Sequence, residues 1–509
     1  MTRTMDTLRA KPVLAAGLAI LAVTAFRLII VIATPLEIGP DEAQYWRWSR
    51  TLDWGYYSKP PLIAWLIAAP TAIFGDAEWA IRFMAPVLHG LAAFFLFCLG
   101  RSAFDARTGI WAAAIYLLMP GVWLSSTIMS TDAVLLPMWA AALFALWRLR
   151  TAPGIANGAL VGLAIGLAML AKYAALYLFV GAALAAIFDR DMRRALLSLG
   201  GLAALAVALL VLAPNLIWNA ANGFETVSHT ADNANLAAAG FNITHVVSYI
   251  GDQMAVFGPI TLLVLFAGFA LIAARGAPET RIREIWLLCF IAPPLLTILV
   301  QEIMSRAHAN WAATAYPASA VLLASWTART RWGAAIKAGV ALNLTIGLAF
   351  VVLWLAPSVA DTAGGSNLIK RVRGWDQTAA DLGQIALEHD ASALMFDERE
   401  NWHGVDYYGR NLNLPPIRAW RVTDHPRSHA EEAGTMLPGE DRAVLIASYR
   451  PDFRPRIRAD FDTIESLGTL TVPLGPNRNR VLKLYLASGY HPLPRTAEYE
   501  ASFEGKRED

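Results

Sequence analysis

Leu36-Glu-Ile-Gly-Pro-Asp-Glu-Ala-Gln-Tyr-Trp-Arg-Trp-Ser-Arg50, continued by Leu52-Asp-Trp-Gly-Tyr-Tyr-Ser-Lys-Pro-Pro-Leu62, is a polar interruption between two apolar regions. Upstream, Val13 to Ala33 is apolar for long enough to cross ~30 Å of hydrocarbon at ~1.5 Å per residue. The run is too long for the core of a cleaved signal peptide and no small-x-small site follows it, so it reads as an uncleaved first span. Downstream, Leu62 to Phe74 is apolar but short and carries Pro70, which suits a helix lying in the interface better than a span. The interruption is therefore the first extramembrane loop of a polytopic helical protein.

Composition agrees with that reading. Of 509 residues, 56% are hydrophobic and 16% charged, and the mean hydropathy is +0.43, an apolar excess too large for one soluble core. A net charge of +2 gives no reason to expect a nucleic-acid partner. Cys98 and Cys289 both lie in apolar runs and form neither a disulfide framework nor a metal-ligand pattern.

Apolar runs place helical spans near 13–34, 81–100, 108–124, 132–149, 155–171, 174–188, 195–217, 253–274, 285–301, 311–328 and 333–356, eleven in all. Alternate loops differ in basic content. One set holds the N-terminus, Arg101 and Arg107, Arg148 and Arg150, Arg190 with Arg193 and Arg194, Arg275 with Arg281 and Arg283, and Arg329 with Arg331 and Lys337. The other set is poor in Lys and Arg, which puts the first set and the N-terminus in the cytoplasm and the second set outside. Asp41, Glu42, Lys59, Asp132, Lys172, Tyr173, His229, Asp232, Glu302, Arg306 and His308 then share the outer face. Ionisable groups at membrane depth persist where they pair or line a wet cavity. One outward cavity follows, rather than a conduction path. Residues 361–509 are polar and charge-rich, with strand-like runs at 391–396, 443–446 and 481–486 and a helix at 377–388. This predicts a transmembrane domain over 1–360, with its catalytic outer loop at 35–80, and a periplasmic α/β domain over 361–509 with a frayed tail after Tyr499. That domain fits a substrate-shaping lid and a stability module equally well.

Each polar residue has a chemical and a plain structural reading. Asp41 could act as a general base, with Glu42 beside it in the catalytic carboxylate pair, or cap a short helix starting near Glu42. Tyr45, Trp46 and Tyr57 belong to a crowd of six aromatics that serves as an interfacial belt or as a shelf for sugar or prenyl chain. Lys59, fixed ahead of Pro60 and Pro61, either snorkels or meets a phosphate, to which Arg306 could add a planar fork of donors. Asp132 starts a span as a cap or a site carboxylate. Lys172 and Tyr173 interrupt an apolar region; Lys172 either snorkels or lines the cavity as a further cation for the donor phosphate, with Tyr173 beside it on the substrate. His308 follows Arg306 at a span entrance, as cavity residue or anchor. His229 and His245 have no metal-ligand spacing.

The Asp-Glu after the first span, Tyr45-Trp-x-Trp-Ser, Tyr56-Tyr-Ser-Lys-Pro-Pro-Leu-Ile-Ala-Trp65, Ser130-Thr-Asp-Ala, Ala171-Lys-Tyr and Ala309-Asn-Trp together resemble the bacterial family-39 glycosyltransferases. These are relatives of protein O-mannosyltransferases and lipid A aminoarabinose transferases, with the GT-C membrane fold. The resemblance covers roughly residues 10–360. It implies an inverting glycosyltransferase of the bacterial inner membrane that takes a sugar from a polyprenyl-phosphate donor, such as undecaprenyl phosphate, and gives it to a glycolipid acceptor of the envelope, lipid A or lipopolysaccharide. On that likeness Asp41 matches the catalytic acidic residue, which would orient and deprotonate the acceptor hydroxyl, Lys59 the lysine at the lipid phosphate, and Asp132 a second acidic residue near the donor. Ser58 stands where aminoarabinose transferases carry a metal-linked glutamate, so no metal site and no cofactor are expected. Rival readings are a protein O-glycosyltransferase of the same fold and, from another class, a lipid or sugar transporter. The transporter would want charges along a path through the bilayer and repeat symmetry, and the chain shows neither.

Overall fold

A computed structural model describes residues 12–226, 228, 244–272, 278–305, 307–439 and 442–508. Arg306, His229, Asp232 and Arg275 lie outside the described residues, as does the basic N-terminus through Lys11. The chain divides into two compact units. One takes the residues up to Ala33 and Leu52–Val352; the other takes Thr34–Thr51 and Leu353–Asp509.

The first unit is helical. Helix α1 (Pro12–Ala33) is followed past the break by α2 (Leu62–Phe74), α3 (Met84–Ala103), α4 (Thr131–Thr151), α5 (Ile155–Ala171), α6 (Leu199–Ala221), α7 (Pro278–Met304) and α8 (Gly333–Leu355), with shorter helices between them. Among the described residues six helices are long and apolar enough to cross a membrane, or seven if the bent pair Thr244–Phe257 and Pro259–Phe269 is one span. The 13-residue α2 falls short of a span. Three expected spans are broken where backbone chemistry demands it. The stretch near 108–124 splits at Met119-Pro120 into Ala106–Leu117 and Pro120–Ser125. That near 253–274 bends by 112° at Gly258, whose φ of +97° suits glycine, just before Pro259. That near 311–328 starts as a tight 3-10 turn, Ala309–Ala315, before Tyr316–Trp326.

Small residues set how closely two of these helices approach. Gly158, Gly162 and Gly166 recur every fourth residue on α5, and a Cβ at each would sit 1.9 Å from Gly200 O, 2.3 Å from Ala204 O and 2.7 Å from Val211 Cβ on α6. Without a hydrophobic driving force between helices in lipid, such backbone approach supplies the van der Waals contact that holds them. The C-terminus of α4 carries Arg148 and Arg150, favourable at the negative end of the helix dipole, and Arg150 is ion-paired with the buried Asp189.

The second unit is an α/β domain. Strands β1 (Ala393–Phe396), β2 (Ile417–Ala419), β3 (Val444–Ser448), β4 (Phe461–Gly475) and β5 (Arg478–Tyr490) form one sheet in the order β2-β1-β3-β5-β4. The first three are parallel and the last two run as an antiparallel pair. Leu394, Phe396, Leu445 and Leu484 face one core with Trp402, while Met395, Ile446 and Tyr485 face another with Trp420. Helix α9 (Trp375–Glu388) matches the expected 377–388 helix. The expected fraying after Tyr499 is corrected: Ala497–Phe503 is helical, and Arg454 and Arg458 hold Glu508 through its backbone carbonyl and side chain. Residues 34–51 join this unit. Their helix α10 (Pro40–Ser49) presents Trp46, 5% exposed, edge-on to Tyr407 at 5.0 Å, and Trp48 to His429 at 5.6 Å.

Candidate active site

The acidic pair sits at the start of α10. Gly39 precedes the helix, Pro40 occupies its first turn, and the Glu42 carboxylate accepts a 2.9 Å hydrogen bond from the Gly39 N–H. Glu42, 4% exposed, is thus the residue that satisfies an end-of-helix donor, a role the sequence offered to Asp41. Asp41 is left half-exposed at the positive end of the helix. Arg399 Nη2 donates to its Oδ1 at 3.1 Å, Arg371 Nη2 lies 3.8 Å from its Oδ2, and Arg399 Nη1 donates to Gln44 Oε1 at 3.0 Å. Burial opposes the Arg399 charge, but Asp41 and then Glu400 outweigh it and hold the guanidinium above its ordinary range. The result is a carboxylate aimed by one direct charged hydrogen bond, with its other oxygen in only a long contact. A hydroxyl can reach it there and give up its proton.

Tyr45 and Trp46 share this helix. Tyr45 is buried and packs against Trp48 of the same helix at 5.4 Å, while Trp46 fixes α10 in the second unit through Tyr407.

The first unit holds a second polar cluster. Ser130 Oγ accepts from Ala133 N and is the N-cap of α4, so Asp132 is released from capping. Lys172 Nζ donates to Asp132 Oδ1 at 2.8 Å, and Asn310 Nδ2 donates to Asp132 Oδ2. The next residue, Tyr173, donates from its hydroxyl to Asn215 Oδ1 at 2.9 Å and accepts from Asn219 Nδ2 at 3.0 Å, while Asn215 Nδ2 donates to the Trp54 carbonyl at 2.6 Å. That last bond ties the Leu52–Leu62 loop to α6. Trp218 Nε1 adds a bond to Asp53 Oδ2 at 2.8 Å, and Thr226 Oγ1 one to the Tyr56 carbonyl at 2.7 Å. Tyr56 N in turn donates to the Lys59 carbonyl at 3.1 Å, closing the turn that presents Lys59 ahead of its prolines. Tyr57 is 8% exposed within this turn. His308 is exposed and packs edge-on to Trp311 at 5.4 Å.

The structure therefore groups Asp132 with Lys172, and Tyr173 with the Trp54 loop, and it surrounds Asp41 with arginines absent from the sequence reading. Asn215 and Asn219 were also missed, although two amides four residues apart in an apolar helix are a readable signal of a polar site. Arg371 and Arg399 carried none, lying more than 300 residues from Asp41. Among the described residues, no three His, Cys, Asp or Glu side chains are grouped to hold a metal ion. His245 Nδ1 instead lies 3.0 Å from the Glu302 carbonyl.

Known proteins place the chain as a whole in a family. Residues 58–218 match the family described as dolichyl-phosphate-mannose-protein mannosyltransferase. The lipid A galacturonosyltransferase RgtD of Rhizobium johnstonii is 34% identical over 445 residues, which is 86% of this chain and 92% of that protein. The undecaprenyl phosphate-alpha-4-amino-4-deoxy-L-arabinose arabinosyl transferase of Edwardsiella ictaluri is 29% identical over 34% of this chain and 35% of its own. Among solved structures, ArnT from Cupriavidus metallidurans bound to undecaprenyl phosphate superposes with a TM-score of 0.62, at 16% identity, over 92% of this chain and 97% of its own. That likeness gives the fold, the GT-C membrane architecture with a C-terminal sheet domain.

Proposed function

The chain belongs to the family-39 type of GT-C membrane glycosyltransferases, the family of the lipid A galacturonosyltransferase RgtD, and we propose that it transfers a hexuronic acid from a polyprenyl-phosphate carrier to lipid A or the lipopolysaccharide core. The near full-length likeness to RgtD is the observation that carries this reading.

Transfer with inversion sets two demands. The anomeric carbon gains positive character as the phosphate leaves, so the leaving anion needs cations, and the incoming hydroxyl needs a base on the opposite face. Asp41, aimed by Arg399, is the base. Lys59, held by the Tyr56 turn ahead of Pro60 and Pro61, meets the carrier phosphate, with Arg306 adding a planar pair of donors. Lys172 is paired with Asp132, so it serves the donor by fixing that carboxylate while lending its remaining N–H groups. Tyr173, held by two asparagines, and Tyr57 supply aromatic surface to the sugar, with His308 at the rim. Glu42, Tyr45 and Trp46 act by fixing the helix that bears Asp41. We place eleven spans in the inner membrane with the N-terminus cytoplasmic, and the reaction and the C-terminal domain on the periplasmic side. The alternating basic loops support that orientation.

Mass spectrometry of lipid A, core oligosaccharide and envelope proteins from a deletion strain and its complemented parent tests the proposal. Loss of one hexuronic acid residue from lipid A or core, restored on complementation, is the expected result. Unchanged lipid A and core, with or without a lost sugar on a protein, overturns it.

A further inference from the structure

In the α/β unit, β2 and β3 flank β1 on opposite sides and all three run parallel, so the chain reverses its winding direction at β1. Ligands of open α/β sheets bind in the crevice outside the carboxyl ends of strands at such a switch point. That crevice lies between β1 and β3; on its β3 side a cavity of about 530 Å³ lies among the residues following β2, those following β3, and the C-terminal helix and tail, with none from the segment following β1. Its volume falls within the range of small-ligand sites.

The lining is cationic. Arg427, Arg450, Arg456, Lys506 and Arg507 face only three carboxylates, and two of those are already taken: Asp452 by Arg450 at 3.1 Å and Glu500 by Arg456 at 2.9 Å. Among the described residues Arg427, Lys506 and Arg507 form no salt bridge; Arg427 feels Glu431, to which its backbone N–H donates at 3.0 Å, Arg507 feels Asp452, and Glu504 is the third carboxylate of the lining. Arg456 Nε is buried and has no hydrogen-bond partner among the described residues, although buried donors are normally satisfied. Phe453 and Phe503 complete the wall, with Arg450 over the first ring at 4.9 Å and Lys506 over the second at 5.1 Å.

The cavity belongs to the same unit as Asp41. Asp397, directly after β1, accepts from Ser448 Oγ at 2.6 Å and from the N–H groups of Tyr449 and Arg450 at 2.8 and 3.0 Å, which fixes the loop that carries Arg450. Arg450 Nη1 lies 3.7 Å from Glu398 Oε2, and the next residue, Arg399, grips Asp41.

We propose that this cavity binds an anionic saccharide, a phosphorylated or carboxylated sugar of the acceptor glycolipid, and so holds the acceptor on the unit that carries Asp41. The identity of the ligand as acceptor rests on the transferase reading above; the binding itself does not. The test is calorimetric titration of the full-length protein in detergent with N-acetylglucosamine 1-phosphate, galacturonate, N-acetylglucosamine and inorganic phosphate. Saturable binding of the sugar phosphate or of galacturonate is expected, and which one binds distinguishes the two sources of charge. Arg427→Glu with Lys506→Glu weakens it at least tenfold, and since both side chains are exposed the melting temperature stays unchanged. Absence of saturable binding, equal binding by the uncharged sugar, binding of inorganic phosphate as tight as that of the sugar phosphate, or an unaffected double variant overturns the proposal. In the transfer assay the same variant raises the acceptor KM with kcat retained. Binding without any transfer would overturn the transferase reading while leaving the anionic-saccharide site standing, so the two failures are separable.

Discussion

Asp132 and Lys172 neutralise each other at 2.8 Å, with side chains only 10% and 20% exposed, inside a unit whose helices face lipid. Two charges taken from water at this depth are tolerable because each has the other, and because Asn310 takes the second carboxylate oxygen. Removing one partner strands the other. Asp132→Ala is therefore expected to destabilise the protein by ~3–5 kcal/mol, whereas Asp132→Asn combined with Lys172→Met costs clearly less. Thermal unfolding in detergent measures both, and a double variant worse than the single would contradict the pairing. The sequence marked Lys172 as an oddity in an apolar run, which is as far as one-dimensional reading goes. Its partner lies forty residues away on another helix, and pairing across such a distance is a property of packing.

Helix α9 is preceded by Gly374, which has no side chain to cap it; Glu37 does so from across the unit, accepting from Trp375 N at 2.6 Å and Asp376 N at 3.4 Å. Burial, and then the neighbouring Asp376, push the Glu37 carboxyl up to about 8. With the folded value above the unfolded one, the folded state binds the extra proton between roughly pH 4.5 and pH 8. Stability from this group is thus complete below the lower value and is lost as pH rises through the upper one. Thermal unfolding followed across that window should show a declining stability in the parent and a flatter profile in Glu37→Gln; identical slopes would refute the assignment. Helix α10 teaches the same lesson about elements. Its existence was legible from Gly39-Pro40 and the acidic first turn, but its allegiance was not. The six aromatics between Tyr45 and Tyr57 read as one crowd, whereas Tyr45, Trp46 and Trp48 pack in the α/β unit and Trp54, Tyr56 and Tyr57 belong to the helical one. Hydrophobic content reports that a ring will be buried, without reporting against what.

At the scale of the whole molecule, the apolar runs and the polar C-terminal third announced a polytopic helical protein with an appended α/β domain, and the opening motif carried its family. Broken spans were legible less well, because apolar content is blind to the bend at Gly258-Pro259 and the tight turn before Tyr316. The arginines around Asp41 were invisible, since they come from the domain whose sequence carries no family motif. Activity in this account concentrates on one proton transfer, and one measurement reaches it. The full-length protein, reconstituted in liposomes with a polyprenyl-phosphate-linked galacturonic acid and lipid A, is assayed by mass spectrometry beside Asp41→Asn. The wild type should add one hexuronic acid residue to lipid A, and the variant, folded and inserted as before, should lose about 10²- to 10⁴-fold in rate, the contribution of a positioned general base. A variant within a few-fold of the wild type would contradict the assignment of Asp41 as the base.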